Sequence, residues 1–277
     1  MAEALLAEAA ALAALIGPIR LARTGRPGAG PGEHARGAAG SGAEFWQYRP
    51  LQPGEAATRI DWRRSARSDL LYERQREEAR PARLLVWADA SGSMDFASAR
   101  GLPAKRDHAR LLVLALALAA RAGGEQVGVA GAAPAAGPEA LAAMLAAGAQ
   151  GPWPDEAGLR AGDTLLAAGD WLGADVAARS RALAARGVRG VLLHVIDPAE
   201  ADFPFAGALR FEPAEAGEAA LELAEAGAAR DAYLAAWAGH CAGVARAGEA
   251  AGWSALPART DSPPAGILRQ AAERLRG

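Results

Sequence analysis

Three apolar runs spaced along the chain each stop at an acid. Arg83 to Ala88 reads RLLVWA and stops at Asp89. Thr164 to Ala168 reads TLLAA, a weaker run, and stops at Gly169-Asp170. Val188 to Ile196 reads VRGVLLHVI and stops at Asp197-Pro198. Runs of this kind predict buried strands. Gln126 to Gly131 predicts a further short strand, and Trp253 to Leu256 a last one. Helical segments fall between them. Pro103 to Arg121 is apolar nearly all round from Ala109 to Ala120, as in a helix packed on two sides. Gly137 to Ala147 and Ala174 to Arg186 predict two more, the second closed by Gly187. Gly227 to Ala251 and Pro263 to Arg276 predict the last two. Alternating strands and helices predict an α/β fold: a doubly wound, mainly parallel, Rossmann-like sheet with right-handed crossovers. Ligands in such sheets bind beyond the carboxyl ends of the strands, where Asp89, Asp170 and Asp197 all fall.

Before the sheet the pattern is less regular. Ala2 to Ile16 predicts a helix closed by Gly17-Pro18, with Ile19 to Arg23 expected to continue it. Thr24 to Ser41, rich in Gly, Ala and Pro, reads as a linker. In Glu44 to Pro50 aromatics alternate with polar residues, as on a half-buried strand or folded arm, with Phe45 and, further on, Trp62 as packing anchors. Leu51 to Thr58 reads as a turn around Pro53-Gly54. The expected organisation is a helix and linker over 1–41, an arm over 42–82 and the main domain over 83–277.

The Asp89 stop carries the clearest candidate chemistry. In Asp89-Ala90-Ser91-Gly92-Ser93 three oxygen-bearing side chains lie two residues apart, so an extended backbone can turn them to one point. One carboxylate and two hydroxyls form a hard ligand set suited to Mg²⁺ or Mn²⁺ rather than zinc. The competing reading is a polar turn that caps the next helix.

Composition narrows the function classes. The formal net charge is -2, which argues against coating nucleic acid or an anionic membrane. Arg59 to Arg80 holds seven arginines against five acids, a surplus too small for a nucleic-acid site, so it reads as a solvated, ion-paired surface. The single cysteine, Cys241, reads as a small core residue and excludes an intrachain disulfide, in keeping with a cytoplasmic protein. Lys105 is the only lysine, a bias shared with a GC-rich genome. No segment reads as a transmembrane span; contact of the N-terminal helix with a membrane surface stays open. From Asp197 to Glu225 there are eight acids and one arginine. Arg59, Arg63 and Arg67 are expected either to bind a partner's acids or to clamp this acidic segment. The segment around Leu209-Arg210-Phe211 reads as a hairpin or edge strand. His34, His108, His194 and His240 are dispersed and read as structural.

Several stretches together resemble the bacterial family called domain of unknown function 58, which carries a von Willebrand factor A-like fold. Gly32-Glu33-His34 with Gly42-Ala43-Glu44-Phe45 is similar to its opening. Tyr48-Arg49-Pro50, Gly54-Glu55, Arg59-Ile60-Asp61-Trp62 and Ser65-Ala66-Arg67 resemble its most diagnostic block. Asp89-Ala90-Ser91-Gly92-Ser93-Met94, Gly169-Asp170-Trp171-Leu172, Val195 to Glu200 and Phe203-Pro204-Phe205 follow in order. The resemblance implies a metal-ion-dependent adhesion site, with Asp89, Ser91 and Ser93 as the first ligand loop and Asp170 as a distal acid acting through water. It also implies a MoxR-type AAA+ ATPase as partner. The chain departs from the pattern in one respect: that site also uses a threonine, and none lies between Val127 and Asp163.

The leading expectation is a non-enzymatic interaction module with Mg²⁺ or Mn²⁺ on the sheet rim. A metal-dependent hydrolase or phosphatase is the second reading. Against it stand the lack of an acid two residues after Asp89 and of a Walker-type loop. A scaffold with a vestigial metal site is the third.

Overall fold

A computed structural model of the chain describes residues 2–22, 39–51, 58, 60–68, 70–77, 81–132, 137–148, 151–212, 214 and 219–276. Two compact units emerge, one of Met1–Arg23 with Ala82–Gly277, the other Thr24–Pro81. The first opens with α1 (Ala2–Ile16). The helix does not run on past it: Gly17 takes a φ of 70°, Pro18 follows, and the Ile19 N–H leaves to bond the Ala119 carbonyl at 2.9 Å.

The smaller unit pairs β1 (Ala39–Pro50) antiparallel with β2 (Tyr72–Glu77), with α2 (Trp62–Ser65) between them in sequence. Asp61 caps α2 by accepting the Arg64 N–H, and Ser65 Oγ accepts the Tyr72 N–H at 2.8 Å. The Arg64 guanidinium lies 5.5 Å from the ring centres of both Tyr48 and Tyr72. The charged run expected as plain surface therefore begins as a strand. Trp62 is 64% exposed and is no packing anchor. The turn at 52–57, His34, Arg59 and the Phe45 side chain lie outside what is described.

The larger unit continues with β3 (Arg83–Ala88), α3 (Lys105–Ala122), β4 (Gln126–Val129), α4 (Pro138–Ala147), β5 (Thr164–Gly169), α5 (Val176–Ala185) and β6 (Arg189–Ile196). Then come α6 (Pro198–Asp202), the hairpin of β7 (Leu209–Phe211) with β8 (Leu221–Leu223), α7 (Arg230–Ala250), β9 (Ser254–Arg259) and α8 (Pro264–Arg276). The five-stranded sheet runs β4-β3-β5-β6-β9, parallel throughout. Alternate strand residues face opposite layers. Leu84, Val86, Leu166 and Val195 pack with α1, α3, α4 and α8, while Leu85, Trp87, Leu165 and Leu192 pack with α5 and α7. The doubly wound α/β expectation holds and is consistent with a von Willebrand factor A-like fold. β5, the weakest run in sequence, is a central strand buried along its whole length. Among the described residues no helix is long and apolar enough to cross a membrane.

Gly190 shows how tightly the second layer is fitted. A Cβ there would lie 2.1 Å from the Trp253 ring, whose Nε1 donates to the Val188 carbonyl at 3.1 Å. Gly190→Ala is expected to cost about 1–3 kcal/mol by overpacking, measured by urea unfolding. A change under about 0.5 kcal/mol would show that the ring moves aside freely.

Candidate metal and partner site on the sheet rim

Strand order reverses direction between β3 and β5, and the crevice past their carboxyl ends is the expected binding position. Asp89 and Asp170 are the residues that follow these two strands. The Asp89 N–H still pairs with the Ala168 carbonyl at 2.8 Å, so its side chain is delivered by the sheet itself. Gly169 makes the room: a Cβ there would meet Asp89 Cβ at 3.0 Å and Oδ2 at 3.2 Å.

The four residues read as metal ligands do converge. Asp89 Oδ1 accepts the Ser91 N–H at 2.8 Å. Ser91 Oγ lies 3.2 Å from Ser93 Oγ, and the Ser93 hydroxyl bonds the Asp170 carboxylate. Asp89 and Asp170 are buried, whereas Ser91 and Ser93 are half-buried and form the accessible side. Asp89 Oδ2 is buried with no partner. Burial, opposed by the Ser91 hydrogen bonds, pushes the Asp89 carboxyl up to about 6, with the Asp170 charge adding to the rise.

Asp197, the third rim acid, is committed elsewhere. Its Oδ1 accepts the Ala199 N–H and its Oδ2 the Ser98 N–H, so it caps α6 and ties down the 98 loop. Two groups that the sequence did not single out complete the site. Lys105, at the start of α3, is 0% exposed. Its ammonium donates to Asp170 Oδ2 at 2.9 Å and to Glu200 Oε1. Glu200 Oε2 in turn accepts the Asp197 N–H as half of a capping box. Burial works against the Lys105 charge, but Asp170 and Glu200 outweigh it and hold the ammonium above its ordinary range. Burial likewise disfavours ionised Asp170, yet the Lys105 charge, with Ser93 and the Leu172 N–H, keeps that carboxyl below its usual range. Glu200 is left the weaker acid, raised by burial despite Lys105. The signal available in sequence was that an arginine-biased chain kept one lysine.

The histidines are not all dispersed. His240 Nε2 lies 2.9 Å from the Asp170 carbonyl, and His194 packs edge-on to it at 5.1 Å. Burial first, and then His240, lowers the His194 pKa to about 4. Trp171 carries a marked backbone departure at the rim, a φ of 62°. That left-handed turn stores strain at a non-glycine residue. It stacks the indole on Trp87 at 5.8 Å and leaves the next residue, Leu172, 55% exposed. Phe96, whose carbonyl accepts the Lys105 N–H, is 40% exposed.

Arg63 and Arg67 are exposed. The described acids of 197–225 find partners in their own unit: Asp202 with Arg259, Glu212 and Glu222 with Arg210, and Glu225 with the Gly207 and Gly227 N–H groups.

Residues 47–146 match the family model described as protein of unknown function DUF58. The chain resembles that family over this segment. No curated protein and no solved structure matches it. The DUF58 match takes in the Asp89 loop and Lys105 and ends within α4, before Asp170 and Glu200.

Among the described residues no group of three His, Cys, Asp or Glu side chains is placed to hold a metal. What the rim offers instead is one unpartnered carboxylate oxygen beside two hydroxyls, a donor set for a hard cation. One ammonium stands against the carboxylates of Asp89, Asp170 and Glu200, which leaves a charge deficit that a divalent ion fits. Asp170 has one oxygen on Lys105 and the other on the Leu172 N–H, so its part is to hold Ser93 in place. The residues present therefore fit the ion at Asp89, Ser91 and Ser93.

Proposed function

We propose that this chain is a non-enzymatic protein-interaction module that holds Mg²⁺ or Mn²⁺ through Asp89, Ser91 and Ser93. The observation that carries the reading is Asp89 Oδ2, a buried carboxylate oxygen without a partner, at the head of the loop that carries the half-buried, mutually bonded Ser91 and Ser93 hydroxyls. A bound hard cation supplies an open coordination position for an acidic side chain of a partner. Phe96 and Leu172, both exposed and each bonded through its backbone to a site residue, give the partner apolar surface next to that position. Lys105 and Asp170 keep the floor of the site rigid. Kinship with DUF58 proteins points to a MoxR-type AAA+ ATPase as the partner class to test first.

The test is thermal unfolding with and without millimolar Mg²⁺, and pull-down of the candidate ATPase in Mg²⁺ and in EDTA. Mg²⁺ is expected to raise the melting temperature of the native chain but not of Asp89→Ala, since only a folded-state ligand stabilises. Capture is expected to fail in EDTA and in Asp89→Ala. Equal capture in all conditions rejects the metal bridge. No Mg²⁺ shift at all favours a scaffold held by Lys105 alone.

A further inference from the structure

Lined by none of Asp89, Asp170 and Asp197, a cleft of about 640 Å³ opens between the first turns of α1, the segment leading into α3, and the link from β9 to α8. Its volume suits a small organic ligand. Three polar residues in its walls are more than nine-tenths buried: His108 at 2% exposure, Thr260 at 5% and Arg110 at 8%. Each has a buried side-chain atom with no hydrogen-bond partner, namely His108 Nε2, Thr260 Oγ1 and Arg110 Nε. The ion pair of Arg110 is a long one, 3.5 Å to an Asp107 side chain that is itself 53% exposed. A buried guanidinium so weakly matched is costly unless an anion joins it. Arginine Nε–H is only a donor, and a hydroxyl and a neutral imidazole each add one more.

The backbone adds to the same field. α3 and α8 both begin at this cleft, and the α3 N-cap, Ala104, supplies no side-chain cap. Their N-terminal ends favour negative charge. Leu5, Leu102 and Leu111 make the remaining wall apolar. Glu8 and Asp107 are exposed at its edge, which disfavours anions of high charge. The geometry points to a binding site for a small amphipathic monocarboxylate, its head on Arg110, His108 and Thr260 and its apolar body along the leucines. The cleft shares no lining residue with Asp89, Ser91, Ser93 or Asp170, so it stands or falls independently of the cation reading.

Octanoate is the probe, with octanol and inorganic phosphate as controls, read by calorimetric titration and thermal shift on the full chain. Octanoate is expected to bind one to one and raise the melting temperature, while octanol and phosphate bind at least tenfold more weakly. Arg110→Met is expected to lower octanoate affinity at least tenfold and Thr260→Val a few-fold, with Asp89→Ala unchanged. Should Arg110→Met fail to fold, the near-isosteric Thr260→Val decides. No octanoate binding, equal binding of octanol, tight phosphate binding, or full affinity in the folded variants overturns the assignment.

Discussion

Lys105→Met is expected to lower the unfolding free energy at pH 7 by about 3–5 kcal/mol, because it removes the shared counter-charge of two carboxylates and leaves both in place. Asp170 is 1% exposed and cannot turn to water. Arginine is not a substitute here. Its guanidinium is a wide planar fork, whereas the space between Asp170 and Glu200 admits a compact ammonium with partners on both sides. The triple variant Lys105→Met, Asp170→Asn, Glu200→Gln is expected to recover most of the loss, since a fully neutral replacement leaves no uncompensated charge. Divalent cations are also expected to stabilise the single variant more than the native chain, because the rim then lacks its one internal cation. Urea unfolding across a Mg²⁺ series measures both effects. A loss below about 1 kcal/mol in the single variant would show that the ammonium is not what holds the strand ends together.

The centre of the sheet was legible because β3, β5 and β6 are apolar on both faces and stop at charged or glycine residues, which short-range pattern captures. The same logic located Asp89 and Asp170, since the end of a buried strand at a topological reversal is a position that sequence order defines. Lys105 was not legible. Being the sole lysine marked the residue but not its role, because its partners lie 65 and 95 residues away. Asp197 misled for a related reason: a strand-end acid followed by proline is equally a helix cap, and the Glu200 that completes the capping box is what settles it. β2 hid because YERQRE has no apolar stripe; its regularity comes from backbone pairing with β1. His194 and His240 meet only through the packing of α7 on β6.

Asp89→Asn is expected to stabilise the metal-free protein at neutral pH, which is the reverse of what loss of a structural cap would do. The folded-state pKa of Asp89 is raised from 3.8 to about 6. A raised acid adds stability that is fully present below its unfolded pKa and is lost as pH climbs through the folded one. Between pH 4 and pH 6 the native chain therefore loses stability that the asparagine variant keeps, on the order of 2–3 kcal/mol by pH 7. Below pH 4 the two proteins are expected to converge. The buried His108 and His194, both lowered to about 4 by burial, act in the opposite sense. Their contribution is present above pH 6.5 and fades as pH falls toward 4, but it is common to both proteins and cancels in the difference. Adding Mg²⁺ at pH 7 is expected to raise the native chain toward or past the variant and leave the variant unmoved. Chemical denaturation at pH 4, 5, 6 and 7, with and without Mg²⁺, reads every one of these outcomes. If the asparagine variant is instead weaker at all four pH values, Asp89 serves the Ser91 turn and not a cation. If it is stronger at pH 7 but Mg²⁺ moves both proteins alike, the ion binds elsewhere. The expected pattern, a carboxylate that costs the metal-free fold and is repaid only when a cation arrives, separates a working site from a relic, because a relic has no reason to keep the acid over the amide.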